Sequence, residues 1–319
     1  MPEDKKQPKI SIFLPIYNKE KYIKSSIKCL QSQTLKNIEI IAVNDFSNDK
    51  SLEILKDISD KDKRIKILNN KHNRGLLYSR TIGILNSNGE YLMNLDPDDN
   101  LADRNCLKIL YNKAKKNNVD ILSFGAFFKN LKKKIFKCSK FHTIIFQPQI
   151  LNNAFDSHNY LNDFLLWNKL IRKELFIKVY KLFIVKIYRK YWNYHEDNIW
   201  SILTHKFANS MFCIRKIIYI YNNNQDSLMQ KRYNRVEIIN LLYRHQMYKR
   251  IFTNQLQKKY LNAEIMEIIS IFQTKKNFLF LIKEKEIISK YKKIIVNFIN
   301  NHNLSKSYKT QLYEFFQAA

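Results

Sequence analysis

Five short apolar runs, separated by segments with helical spacing, constrain the first 125 residues more than any other feature of the chain. The runs are KISIFL (9–14), IEIIAV (38–43), RIKIL (64–68), EYLMNL (90–95) and VDILSF (119–124). Between them stand Ile23, Ile27 and Leu30, then Leu52, Leu55 and Ile58, then Leu107, Leu110 and Ala114. Those intervals of three and four residues are the period of a helix with one buried face. Strand alternating with helix predicts a doubly wound α/β sheet, mostly parallel and covered on both faces. Such sheets bind ligands beyond the carboxyl ends of their strands. That directs attention to PIYN (15–18), NDFSND (44–49) and DPDDN (96–100). Taken singly, Asn18, Ser47 and Asp103 read as ordinary helix caps; three polar loops in register at one sheet edge read as a ligand site.

The second half of the chain is built differently. All four glycines lie between residues 75 and 125, and all five prolines precede residue 149. Without those residues to make tight turns, long helices joined by Asn-rich connections are expected. KNLKKKIFK (129–137) predicts a basic hairpin or loop. LFIKVYKLFIVKIYRKYW (175–192) fits either an in-plane membrane helix, its Lys and Arg snorkelling from an apolar face, or a core helix followed by a strand. From residue 228 the chain reads as successive helices with 17 basic residues against six acidic ones. The domain organisation expected is therefore 1–227, divided into a nucleotide-binding part (1–125) and an acceptor part (126–227), followed by a basic, mainly helical region (228–319).

Charge bounds function loosely. Lys and Arg number 56 against 28 Asp and Glu, a formal charge of +28, which attracts phosphates, acidic lipids or nucleic acid. A coding bias toward Lys, Asn, Ile, Tyr and Phe would give the same excess on a solvated surface. The four cysteines are far apart, with no CxxC pair and no His at zinc-ligand spacing, so reduced, buried thiols are expected. MPEDKKQPK lacks the apolar core of a signal peptide, and no stretch reaches the roughly 18 uncharged apolar residues of a membrane span. A cytoplasmic chain, peripheral on the inner face of a membrane if attached at all, fits these features.

Asp96, Asp98 and Asp99 crowd three carboxylates into four positions around Pro97. Hard oxygen ligands so presented suit Mn²⁺ or Mg²⁺, which take few protein carboxylates and complete their shells with water and substrate phosphates. Calcium loops and helix caps produce such runs too. The surroundings narrow the choice. Residues 9 to 55, together with NRGLLYSRTIGILNSNGEYLMNLDPDDN (73–100), resemble nearly position by position the opening of family 2 glycosyltransferases with the GT-A fold. The shared pattern is Asn73 and Gly75, then Arg80, then Gly89 to Tyr91, then Asp96, Asp98 and Asp99. It covers about the first 125 residues.

The resemblance implies a GT-A domain, a Rossmann-like fold for nucleotide-diphospho-sugar transfer, with a helical C-terminal region. By it, Pro15, Ile16 and Tyr17 frame the nucleotide base and Asp45 accepts a base N–H. Asp96 belongs to the nucleotide-sugar site; Asp98 and Asp99 hold the ribose and the metal, Asp99 being the stronger metal candidate. Arg80 lies near the donor phosphates, where a guanidinium pairs well. Two positions depart from the family: Asn44 stands where an Asp pair usually begins, and Thr81 replaces the usual Asn. Further on, WNKLIRKELF (167–176) and YHEDNIW (194–200) resemble its Lys-Leu-x-Arg and Glu-Asp segments, and Tyr219, Tyr221, Asp226, Ser227 and Leu228 its closing motif. Asp197 is then the base that deprotonates an acceptor hydroxyl in an inverting displacement, with Glu196 supporting it. Glu196 and Asp197 would otherwise only complement a helix dipole, and His195 would be a proton relay, a third metal ligand or a simple loop residue. Trp167, Trp192 and Trp200 offer stacking faces or core packing.

The implied partners are a nucleotide-sugar donor, with UDP as carrier ahead of GDP and dTDP, a glycan or lipid-linked acceptor, and an anionic membrane surface. Two other classes fit parts of the sequence. A basic nucleic-acid-binding protein matches the charge, but no nucleic-acid motif is present. A catalytically inactive GT-A scaffold would keep the fold, although Asp45, Asp98, Asp99 and Asp197 are all retained.

Overall fold

The computed structural model describes residues 7–129, 132–135, 143–147, 149–150, 165–189, 191–193, 195–222, 224, 244 and 310. The chain divides into two compact units, Met1–Gln230 and Lys231–Ala319. Tyr194, Asp226, Ser227, Leu228 and the helices expected from residue 228 onward lie outside the described residues.

Each of the five predicted runs forms a strand. They are β1 (Ile10–Ile16), β2 (Ile38–Asn44), β3 (Ile65–Asn69), β4 (Tyr91–Asn94) and β6 (Ile121–Phe128), with the two-residue β5 (Asn100–Leu101) between the last two. The helices between them are α1 (Ile23–Gln31), α2 (Ser51–Lys61), α3 (Leu76–Leu85) and α4 (Cys106–Asn117). The spacing that predicts them also predicts their buried faces. Ile23, Ile27 and Leu30 of α1 and Leu107, Leu110 and Ala114 of α4 are buried, whereas in α2 only Leu55 is fully so. Every residue of β1 is buried, as a central strand covered on both faces requires.

Beyond residue 128 come β7 (Lys133–Ile135), β8 (Ile144–Phe146), β9 (Lys169–Arg172), α5 (Lys173–Leu182), a 3₁₀ turn (Ile184–Lys186), α6 (Glu196–Phe207) and the long β10 (Ser210–Tyr221). The sheet has ten strands, in the order β3-β2-β1-β4-β9-β6-β10-β5, with β7 beside β6 and β8 beside β10. Strands β1 to β4 are mutually parallel. The expectation of a mostly parallel sheet fails at β9, which runs antiparallel to β4 on one side and to β6 on the other. Leu170 and Ile171 are fully buried there, and α5 starts at the next residue, so a four-residue strand locks the two halves of the sheet together.

The basic segment near 133 is a hairpin arm, since β7 pairs antiparallel with β6. The stretch 175–192 begins as a core helix, with Leu175, Phe176 and Val179 buried. The strand expected after it is absent: a 3₁₀ turn and irregular chain occupy residues 184–193 among the described residues. No helix among the described residues is long and apolar enough to cross a membrane. Cys29 and Cys106 are free thiols, and burial raises both to a pKa of about 11. Cys213 is disulfide-bonded, so the expectation of reduced thiols fails there.

Candidate active site

The parallel strands end along one edge, and the loops that follow them are bonded to one another. Asp45 N–H donates to the Ile16 carbonyl at 2.8 Å. Asn18 accepts from the Asn48 N–H at 2.8 Å, and the Ser47 hydroxyl accepts from the Asn18 N–H at 3.1 Å. Ser51 and Asp49 receive the N–H groups of Lys19 and Glu20, and Glu20 returns the favour to the Lys50 N–H. Asn18 and Ser47 thus join loop to loop instead of capping helices; neither α1 nor α2 has a side-chain cap. Asp103 accepts from the N–H of Asn105, the residue before α4, at 2.7 Å, and α4 likewise has no side-chain cap.

Of the three residues expected to frame a base, Pro15 and Ile16 are buried within β1, and only Tyr17 presents its side chain, 41% exposed. Phe46, which the sequence reading passed over, is 49% exposed with a φ of +62°. A bulky residue in that conformation is uncommon and costs energy. It gives the rim of this edge a second aromatic face.

Asp45 faces inward. One carboxylate oxygen accepts from Asn70 Nδ2 at 2.7 Å and the Arg74 N–H at 2.8 Å; the other accepts from the Gly75 N–H at 2.8 Å. Three of its roughly four acceptor positions are thus occupied, and it is only 4% exposed. Gly75 has φ +85°, and a Cβ there would lie 2.9 Å from the Trp192 nitrogen and from Asn193 Oδ1. Only glycine permits both the turn and that approach. Across it, Asn193 Oδ1 accepts from the Leu76 N–H and the Trp192 carbonyl from the Leu77 N–H, satisfying the first turn of α3.

The crowded acids are each answered from within the chain. Arg80 donates to Asp96 at 2.9 Å and to Asn94 at 3.1 Å. Lys19 Nζ sits 2.6 Å from Asp98. The Tyr219 hydroxyl donates to Asp99 at 2.8 Å while accepting from the Asp96 N–H, and the Asn222 N–H donates to the other Asp99 oxygen at 2.7 Å. Burial, then repulsion from Asp96 and Asp98, holds the Asp99 carboxyl well above the usual carboxylate range. Burial and the neighbouring Asp99 likewise raise the Tyr219 phenol. Asp99, 2% exposed with both oxygens engaged, anchors the loop; Asp96 and Asp98, their side chains 24% and 15% exposed, are the more open pair. Among the described residues no three His, Cys, Asp or Glu side chains converge on one point. A cavity of about 280 Å³ opens beside Asp98, walled by Lys21, Tyr22, Ser25, Lys129, Asn222 and Asn224 among others.

The second pair of acids reaches this edge through Arg80. Its remaining guanidinium nitrogen forms an ion pair with Glu196 in the first turn of α6, and both side chains are buried. Arg80 therefore bridges Asp96 and Glu196. Asp197, the next residue, is half-buried and makes no hydrogen bond or ion pair through its carboxylate among the described residues. His195 stands before it in the left-handed region, φ +54°, which turns the chain into the helix. The three tryptophans are core residues, at most 5% exposed; Trp167 lies 4.7 Å from the Tyr219 ring, supporting the phenol from behind.

This arrangement matches a known family. Residues 11–180 fit the family model described as Glycosyl transferase family 2. The chain belongs to that family. Among its relatives it is 29% identical over 228 residues to the uncharacterized glycosyltransferase EpsJ of Bacillus subtilis, a match that takes in 71% of this chain and 64% of that one. It is 35% identical over 179 residues to a cholesterol galactosyltransferase of Borreliella burgdorferi, covering 53% of this chain and 49% of the other. The chain thus spans just under two thirds of EpsJ. In three dimensions it resembles residues 1–349 of S. aureus TarS, solved with UDP-GlcNAc, at a TM-score of 0.63 and 18% identity over 97% of this chain and 81% of that one. A mannosyltransferase from Pyrobaculum calidifontis, solved with GDP-Man and Mn²⁺, gives a TM-score of 0.53 at 12% identity over 98% of this chain and 86% of the other. The chain accordingly carries a domain of glycosyl transferase family 2 with the GT-A fold.

Besides Phe46, four residues of the site have roles that no local sequence pattern signals. Lys19 is one cation among 56 Lys and Arg, with nothing local to mark it. Asn222 acts through its backbone, which no side-chain pattern reveals. Tyr219 is legible only as a member of the closing motif, and Asn193 belongs to no motif.

Proposed function

We propose that the chain transfers a sugar, with inversion, from a nucleotide-diphospho-sugar to an acceptor hydroxyl on a glycan or lipid-linked acceptor. A UDP-sugar is the donor class favoured, by analogy with TarS. The observation that carries this reading is the Arg80 bridge, which draws Asp96 of the strand-edge loop and Glu196 of α6 onto one guanidinium and so brings Asp197, beside Glu196, to the same edge.

The chemistry follows from those positions. The acceptor oxygen forms a bond to the anomeric carbon as the bond to the diphosphate oxygen breaks, and the departing electron pair stays on the diphosphate. Asp197 takes the hydroxyl proton as attack proceeds, acting as general base from the first turn of α6. Glu196, held by Arg80, fixes the first turn of α6 and hence where Asp197 lies. Tyr17 and Phe46 supply aromatic faces for the base. Asp45 and Asp99 hold the loops around the donor, a structural duty in place of the direct contacts their motif positions suggest.

The chain's residues fit a divalent ion. Asp98, with Asp96, would hold Mn²⁺ or Mg²⁺ as few and partly exposed hard oxygens, and the Lys19 ammonium on Asp98 marks a point that already attracts a cation. Bound there, the ion would neutralise charge gathering on the leaving diphosphate.

One observation favours a second reading, a chain that binds nucleotide-sugar without turning it over: Asp96, Asp98 and Asp99 are each already paired within the protein. Incubation with UDP-, GDP- and dTDP-sugars and Mn²⁺, with and without chelator, separates the two. Release of nucleotide diphosphate that Asp98→Asn and Asp197→Asn suppress supports transfer. Binding with no turnover of any donor establishes the scaffold instead.

A further inference from the structure

We infer that the edge formed by residues 181–191 docks on a bilayer containing acidic lipid. Six large apolar side chains are markedly exposed among the described residues, and three of them, Leu182, Val185 and Tyr191, fall within these eleven positions at 42–45% exposure. Lys181, Lys186 and Arg189, also exposed, alternate with them. From residue 175 to 195 the sequence contains five Lys and Arg and no Asp or Glu. Apolar tips set among cations, in a stretch without acids, match the two layers of such a surface: acyl chains below, anionic headgroups around.

The edge is held rigid. Leu175, Phe176 and Val179 bury one side of α5, Ile184 is buried between Leu182 and Val185 and Trp192 just after Tyr191, and Phe183 packs on Phe207 at 5.4 Å. Leu182 and Val185 are thus presented outward by their buried neighbours. Nucleic acid is a poorer match, since two of the three tips are aliphatic and offer no face for a base.

The same segment is bonded to the active-site edge. Trp192 and Asn193 close the first turn of α3, the Arg189 carbonyl accepts from Arg74 at 3.3 Å, and Tyr188 stacks on Tyr78 at 5.7 Å. Docking here would hold the helix that carries Arg80 close to the headgroup plane. The inference does not depend on the transfer chemistry.

Co-sedimentation of the full chain with phosphatidylcholine vesicles, with and without phosphatidylglycerol, tests it. The parent is expected to partition onto the acidic vesicles and far less onto the neutral ones. Leu182→Ser together with Val185→Ser, both exposed and harmless to folding, is expected to lower that partition about tenfold, roughly what 1.4 kcal/mol produces. Tyr191→Ser is expected to lower it on its own. Partition unchanged in both variants overturns the inference, as does a parent that ignores acidic vesicles. A parent that instead self-associates through this edge, with the double variant monomeric, also overturns it.

Discussion

Asp197 and Asp99 are both acids at one sheet edge, and their surroundings give them opposite duties. Asp99 spends both oxygens on the Tyr219 hydroxyl and the Asn222 N–H; Asp197 spends neither among the described residues. On this view Asp197→Asn lowers kcat by about 10²- to 10⁴-fold, the range of a lost general base, while a nucleotide titration returns the parental Kd. An equal loss of donor affinity would instead make Asp197 a binding residue. Arg80 is argued on energetics. Its guanidinium is 5% exposed and faces a Glu196 carboxylate that is 3% exposed. Arg80→Leu leaves that charge buried and alone, so urea denaturation should register a loss of about 3–5 kcal/mol, with Glu196→Gln in the same chain restoring part of it. The residue types were legible in the sequence: acids where a ligand edge should be. Their partners were not. Lys19 precedes Asp98 by 79 positions and Tyr219 follows Asp99 by 120, distances over which local pattern carries no information.

At the level of elements, period and burial made most of the first half readable. β1 to β4 and β6 follow from their apolar runs, and the buried stripes of α1 and α4 from their spacing. β9 was hidden because KLIR is only four residues long and passes straight into α5; nothing in so short a run fixes direction or neighbours. In α6, nine of twelve residues are buried, leaving no polar face to betray a period. His205 of that helix shows what such burial costs. Desolvation, with Lys169 adding repulsion, lowers its pKa from 6.5 to about 3. Because the folded form takes up a proton less readily than the unfolded one, stability is full above pH 6.5 and falls as pH drops toward 3. The slope reaches about 1.4 kcal/mol per unit. Thermal melts across that window should steepen for the parent relative to His205→Gln; parallel curves would remove His205 as the cause.

For the molecule as a whole, the two compact units divide the question of function. Every residue assigned to the site lies within Met1–Gln230. A chain ended at residue 230 is therefore expected to keep the nucleotide response of the full protein. At a hundredfold excess over Kd a ligand specific for the folded state adds about 2.7 kcal/mol, so calorimetry should show equal shifts in both chains with UDP and Mn²⁺. A response only in the full chain would mean that Lys231–Ala319 contributes to the site. One further consequence concerns ancestry. Because Arg80 answers one acid before residue 125 and one after it, those positions cannot drift independently. A hybrid built by grafting residues 126–227 of a relative onto this chain would leave one nitrogen of the Arg80 guanidinium unanswered unless the relative has an acid at the position of Glu196. New specificities in this lineage should then arise from the loops around that three-body contact, with the contact itself passed on intact.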